Sequence, residues 1–117
     1  MENDIKRSGT NGRRALSVEH AGLLYVSGIT SSDLEADITG QLTDVFAQLD
    51  NVLARHGTSK NRVLSATVTL ADMADYGAFN AAWDEWVIDG FEPARSVTGG
   101  QLAVPQYKVK IALIAAL

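Results

Sequence analysis

Two histidines, a scatter of carboxylates, a Gly-Gly pair and an arginine following Pro-Ala are the residues of this 117-residue chain with chemical potential. His20 and His56 lie 36 residues apart. Neither stands in a Glu-x-x-His spacing, so spacing alone assembles neither a metal site nor a Ser-His-Asp triad. His56, just before Gly57, suits the end of a helix, where a cation favours the dipole, and His20 falls in an expected turn. Asp72, Asp75, Asp84 and Glu85 cluster on or near one helix and read as caps and a solvated face. Gly99-Gly100 follows a strand but lacks the spaced glycines and following helix that cradle a phosphate. Arg95, after Pro93-Ala94, reads on residue type alone as a solvated strand residue. With no cysteine, thiolate nucleophiles, disulfides and cysteine-based metal centres are excluded.

These residues need elements to hold them. The polar segment through Arg14 predicts an irregular or edge element. A hairpin follows, with Ala15 to Glu19 as one strand, a turn at His20-Ala21-Gly22, and Leu23 to Gly28 as the other. After a Ser/Asp-rich loop from Thr30 to Ala36, a helix is expected. Ile38, Leu42, Val45, Phe46, Leu49, Val52 and Leu53 recur with a period near 3.6, Asp37 can cap the start and Gly57 the end. Val63 to Leu70 alternates as a strand, with Leu64, Ala66, Val68 and Leu70 on one face and Ser65, Thr67 and Thr69 on the other. Asp72 is placed as the cap of a second helix whose apolar stripe is Tyr76, Phe79, Trp83, Trp86 and Val87, ending at Asp89-Gly90. Ala94 to Thr98 and Tyr107 to Ala115 complete the strands. The order is ββαβαββ in one α+β domain over residues 1–117: a mixed sheet with two helices on one face, because right-handed crossovers put both there. The other sheet face is left open, and self-association is the simplest cover for it.

Composition narrows the partners. Fourteen acidic against ten basic residues give a net charge of −4, which argues against a nucleic-acid binder driven by phosphate neutralisation. The longest apolar run, Ile111 to Leu117, is far below the ~20 residues of a membrane span. The start of the chain is polar and lacks a signal-peptide apolar region, so a cytoplasmic location is the default.

Ser27-Gly28 after an apolar strand, Met73-Ala74-Asp75-Tyr76 followed by Phe79-Asn80, and Pro93-Ala94-Arg95-Ser96 resemble the Rid family (reactive intermediate deaminases, also called YjgF or endoribonuclease L-PSP). The likeness runs from about Val18 to Ala115. It implies a chorismate-mutase-like, YjgF-type fold and a homotrimer with clefts between subunits. It also implies cofactor-free hydrolysis of 2-aminoacrylate and related enamines or imines to 2-keto acids and ammonia. By the resemblance, Arg95 holds the substrate carboxylate, for which a planar guanidinium offers two charge-assisted hydrogen bonds. Gly28 brings its backbone to the ligand, and Ser27 and Asn80 line or support the cleft.

The chain departs from the family pattern at three places. The glutamate that positions the attacking water, fifteen residues beyond the arginine, is here Lys110; the usual cysteine two residues after the arginine is Val97; the N-terminal site tyrosine matches Arg14. An ammonium is no general base and repels an iminium; Lys110 is therefore either a catalytic amine, freed of its proton by desolvation beside Arg95, or a charge that only makes the site more positive. Arg14, Arg95 and Lys110 together favour a more anionic ligand, such as a dicarboxylate. Three functions follow in order: a Rid-like imine or enamine hydrolase with an atypical site; a non-catalytic or regulatory protein that binds a small carboxylate in the same cleft; and last an endoribonuclease or translation inhibitor, for which no His pair or basic–aromatic groove is seen.

Overall fold

The turn at His20 closes with Ala21 at φ 53° and Gly22 at φ 81°, and His20 pairs with Leu23 across it. Two positive φ values in a two-residue loop match the right-handed twist of the strands. This hairpin is the first part of a six-stranded sheet in the computed structural model, which describes residues 4–117. The strands are β1 (Lys6–Ser8), β2 (Ser17–His20), β3 (Leu23–Ile29), β4 (Val63–Leu70), β5 (Ala94–Gly99) and β6 (Val109–Ala116). Their spatial order is β1-β2-β3-β6-β4-β5, antiparallel throughout except for the parallel β4/β5 pair. The N-terminal segment thus contributes a three-residue edge strand, one more than the expected ββαβαββ order.

Helix α1 (Ile38–Arg55) starts where Asp37 accepts from the Gly40 N–H at 2.9 Å, and beyond it Gly57 sits at φ 73°. Its stripe of Leu42, Val45, Phe46, Leu49, Val52 and Leu53 is buried against Leu24, Val26 and Ile29 of β3, Ala66, Val68 and Leu70 of β4, and Val109, Ile111, Leu113 and Ala115 of β6. Helix α2 (Tyr76–Trp86) packs beside α1 through Phe79, Trp83 and Trp86, and Phe46 stacks on Trp86 at 4.8 Å. Both helices therefore cover one face of the sheet, as expected. No helix among the described residues is long and apolar enough to cross a membrane.

Three local expectations are corrected. Asp72 caps not α2 but a 3₁₀ turn, Met73–Asp75, by accepting from the Ala74 N–H at 2.9 Å, and α2 begins at Tyr76. Tyr76 is 41% exposed and lies outside the apolar stripe, because its hydroxyl is directed to β5 (below). Leu64 is 49% exposed. The β4/β6 register slips between Val63 and Ser65, so a bulge turns Leu64 outward while Val63 and Ala66 both point inward.

Candidate functional site

The parallel pairing sets Arg95 level with buried Ala66, and Val97 level with buried Val68. Both side chains consequently project to the helix-covered face, where α2 passes over β5. There Arg95 Nη2 donates to Asn80 Oδ1 at 2.8 Å and to the Tyr76 hydroxyl at 3.4 Å. Its guanidinium carbon lies 5.4 Å from the centre of the Phe79 ring and 5.3 Å from that of Trp83. Tyr76 and Asn80, and Phe79 and Trp83, are i,i+4 pairs on one face of α2, so two successive helical turns supply both the acceptors and the aromatic bed. Each cation–π contact contributes on the order of 0.5–2 kcal/mol. The arginine is held in one orientation with the rest of its donor fork free for an anion. Val97 packs against the core and offers no polar atom beyond its backbone.

The remaining candidates lie on the open face. The β3/β6 register shifts between Val26 and Ile29, and the extra residue of that bulge sets Ser27 and Gly28 together opposite β6. Lys110, level with Thr69 of β4, lies with its stem across Gly28: a Cβ there would stand 2.8 Å from Lys110 Cδ and 3.0 Å from Cγ. Glycine at 28 is thus explained first by the lysine it accommodates. The Ser27 hydroxyl is buried with no hydrogen-bond partner. Among the described residues Lys110 forms no ion pair. Arg14 is exposed, just before β2, where Leu16 O accepts from Ser27 N–H at 3.0 Å; this places its backbone past the Gly28 end of β3.

One chain therefore carries two separate groups, Asn80, Arg95 and Val97 under α2, and Ser27, Gly28 and Lys110 with Arg14 nearby. The expected cluster of Arg14, Arg95 and Lys110 does not form within a chain. Arg95 and Lys110 project from opposite faces of the sheet, two strands apart.

The structure also assembles what sequence spacing could not. His56 Nε2 is 2.9 Å from Ser17 Oγ and His56 Nδ1 is 2.5 Å from Glu19 Oε2, a serine–histidine–carboxylate chain. The reading that no such triad could be built from the histidines is corrected to that extent. The only local signal was Ser17 and Glu19 at i,i+2, which share one face of a strand; the histidine arrives from the end of α1. Ser17 is 1% exposed, leaving no room for a substrate at its hydroxyl. The network joins α1 to β2. No group of three metal-ligating side chains occurs among the described residues. On α1, Asp44 accepts from the Ser32 N–H at 2.8 Å; this bond chiefly holds its carboxyl below the ordinary range, and Gln48 and the Ser32 hydroxyl act in the same direction.

A family model described as endoribonuclease L-PSP matches residues 9–117. The chain is 39% identical over 113 residues to the RutC family protein YoaB of Escherichia coli K12, covering 97% of this chain and 98% of that protein. It is 42% identical to a RutC family protein of Haemophilus ducreyi, covering 97% of each. Its fold superposes on NMB1025 of Neisseria meningitidis, a member of the YjgF protein family, with a TM-score of 0.94 at 37% identity, over 99% of this chain and 97% of that one.

Proposed function

Because the chain belongs to the endoribonuclease L-PSP family, the YjgF or Rid family of the resemblance above, we propose that it hydrolyses small 2-imino or 2-enamino acids to 2-keto acids and ammonia, without a cofactor, in clefts between copies of itself. The observation that carries this reading is the Arg95 clamp. Asn80 and Tyr76 hold one nitrogen of the guanidinium, and Phe79 and Trp83 hold its plane. A carboxylate that takes the free donors is fixed in direction, and with it the neighbouring imine carbon. Water adds to that carbon, the carbinolamine collapses, and the nitrogen leaves as ammonia. Shared clefts are supported by the separation of the two groups on opposite faces. Only a second copy can bring an Arg95 to a Gly28 and Lys110. The open sheet face also presents half-exposed Leu23, Tyr25 and Ile114 for such contact. A homotrimer is the assembly that the resemblance implies, and light scattering at working concentration reads it directly.

A second reading rests on Lys110. An ammonium stands where relatives of the deaminase type position water with a carboxylate, and it cannot serve as a base while charged. On that reading the protein holds a small carboxylate and does not turn it over. Ribonuclease action, in the family's older name, ranks last, since His56 is committed to Ser17 and Glu19.

One assay separates the readings. Imino acids are generated with an amino-acid oxidase and trapped with semicarbazide, and the protein is added. Hydrolysis lowers the trapped signal, and Arg95→Ala abolishes that effect. No effect on neutral or acidic imino acids rejects the hydrolase reading; retained activity in Arg95→Ala rejects the site. A gain of activity in Lys110→Glu assigns the missing step to water positioning.

A further inference from the structure

Glu19 is the single acidic residue in the six strands. It pairs with buried Leu24, faces the helices and is bound by His56. In a chain of net charge −4, the strands present no carboxylate on their open face. The charged groups that pairing directs there are cations, Arg7, level with Val18, and Lys110. Lys110 is the central one. Its stem rests on Gly28, its ammonium has no acidic partner among the described residues, and Thr69 and Thr98 stand level with it on β4 and β5. Beside Gly28, the Ser27 hydroxyl is buried without a partner. An unpaired ammonium on a sheet face whose strands carry no competing carboxylate suits a compact oxyanion.

We infer that Lys110, lying across Gly28, forms a second anion subsite, so that the ligand is a 2-oxo or 2-imino dicarboxylate. One carboxylate lies on Arg95 and the other on Lys110. The inference rests on the carboxylate cleft proposed above, and it goes further by naming the substrate class. Lys110 then acts as a specificity-determining residue and takes no part in proton transfer.

The test uses two pairs of keto acids matched in chain length, 2-oxoglutarate with 2-oxopentanoate and oxaloacetate with 2-oxobutanoate. Each is titrated calorimetrically into the full chain at fixed salt. The dicarboxylate of each pair is expected to bind about tenfold to a hundredfold more tightly, the range for one added charge-assisted contact. Lys110→Met keeps the methylenes on Gly28 but removes the charge. It is expected to erase the preference by weakening the dicarboxylate far more than 2-oxopentanoate, and Lys110→Arg retains the preference. Equal affinities within a pair, or a preference that survives Lys110→Met, overturn the second subsite and leave the cleft intact. No binding of either acid, or binding untouched by Arg95→Ala, overturns the cleft itself and this inference with it.

Discussion

Replacing His56 by alanine removes the middle of the Ser17–His56–Glu19 chain, and the structure allows the cost to be worked out part by part. Ser17 is 1% exposed, so its hydroxyl loses its hydrogen bond with no water to replace it. An orphaned buried hydroxyl costs about 1–3 kcal/mol. The Glu19 side chain is 29% exposed and can rehydrate, so loss of its contact is discounted to about 0–1 kcal/mol. The imidazole, 12% exposed, leaves a small void worth on the order of 1 kcal/mol. A total of about 2–5 kcal/mol lowers the melting temperature by about 8–20 °C at roughly 4 °C per kcal/mol for a chain of this size. Thermal and urea unfolding measure it, at one protein concentration because assembly shifts apparent stability. In a double-mutant cycle, Ser17→Ala combined with His56→Ala should cost at least about 1 kcal/mol less than the sum of the single changes. Carboxylate binding at Arg95 should be unchanged in folded His56→Ala. A melting temperature within about 2 °C of the parent, or additive single changes, refutes a structural pin. Labelling of Ser17 by an activated-serine reagent refutes it from the other side, since the pin requires that hydroxyl to be inaccessible.

Three further outcomes follow. Asn80→Asp places a carboxylate at the 2.8 Å contact with Arg95, where it competes with the ligand; keto-acid affinity should fall by about tenfold or more, with little change in melting temperature. Gly28→Ala drives a Cβ into the Lys110 stem. The chain should still fold, because a lysine can swing aside, but the dicarboxylate preference should shrink, and an unchanged preference would mean that the stem does not matter. The Asp44 carboxyl is held below its ordinary pKa of 3.8, so its contribution to stability is complete above the unfolded-state pKa and is lost as pH falls through the depressed folded value. Asp44→Asn should therefore lower stability at neutral pH and flatten the acid limb of the profile, so that variant and parent converge as pH falls through the depressed value.

Much of the fold was legible because its signals are local. The α1 stripe, its Asp37 cap and the His20–Leu23 turn each lie within a few residues of the chain, and periodicity or turn chemistry reads them directly. The bulges were not legible. Leu64 continues a perfect alternation, and only the β4/β6 register turns it outward. The same limit applies to the candidate site. Arg95 and Lys110 stand on different strands, so sequence spacing cannot fix their faces. That information lies in which residue pairs with Ala66 and which with Thr69. Asn80 as a site residue came from the family resemblance, whereas its bond to Arg95 needed the crossing of α2 over β5. The aromatic bed of Phe79 and Trp83 was expected only as core, since a helix face that packs on a sheet can at the same time carry a cation.

The division of Arg95 and Lys110 between opposite faces also bears on heredity. In the proposed cleft each copy lends one half to one neighbour and the other half to another. A chain crippled at Arg95 still offers a sound Gly28–Lys110 half, and a chain crippled there still offers a sound Arg95. Mixed assemblies of the two defective chains contain some clefts built wholly from intact halves. Two alleles that are each inactive alone can thereby complement one another in the same cell, while either one, mixed with the normal chain, spoils clefts that the normal chain would otherwise complete.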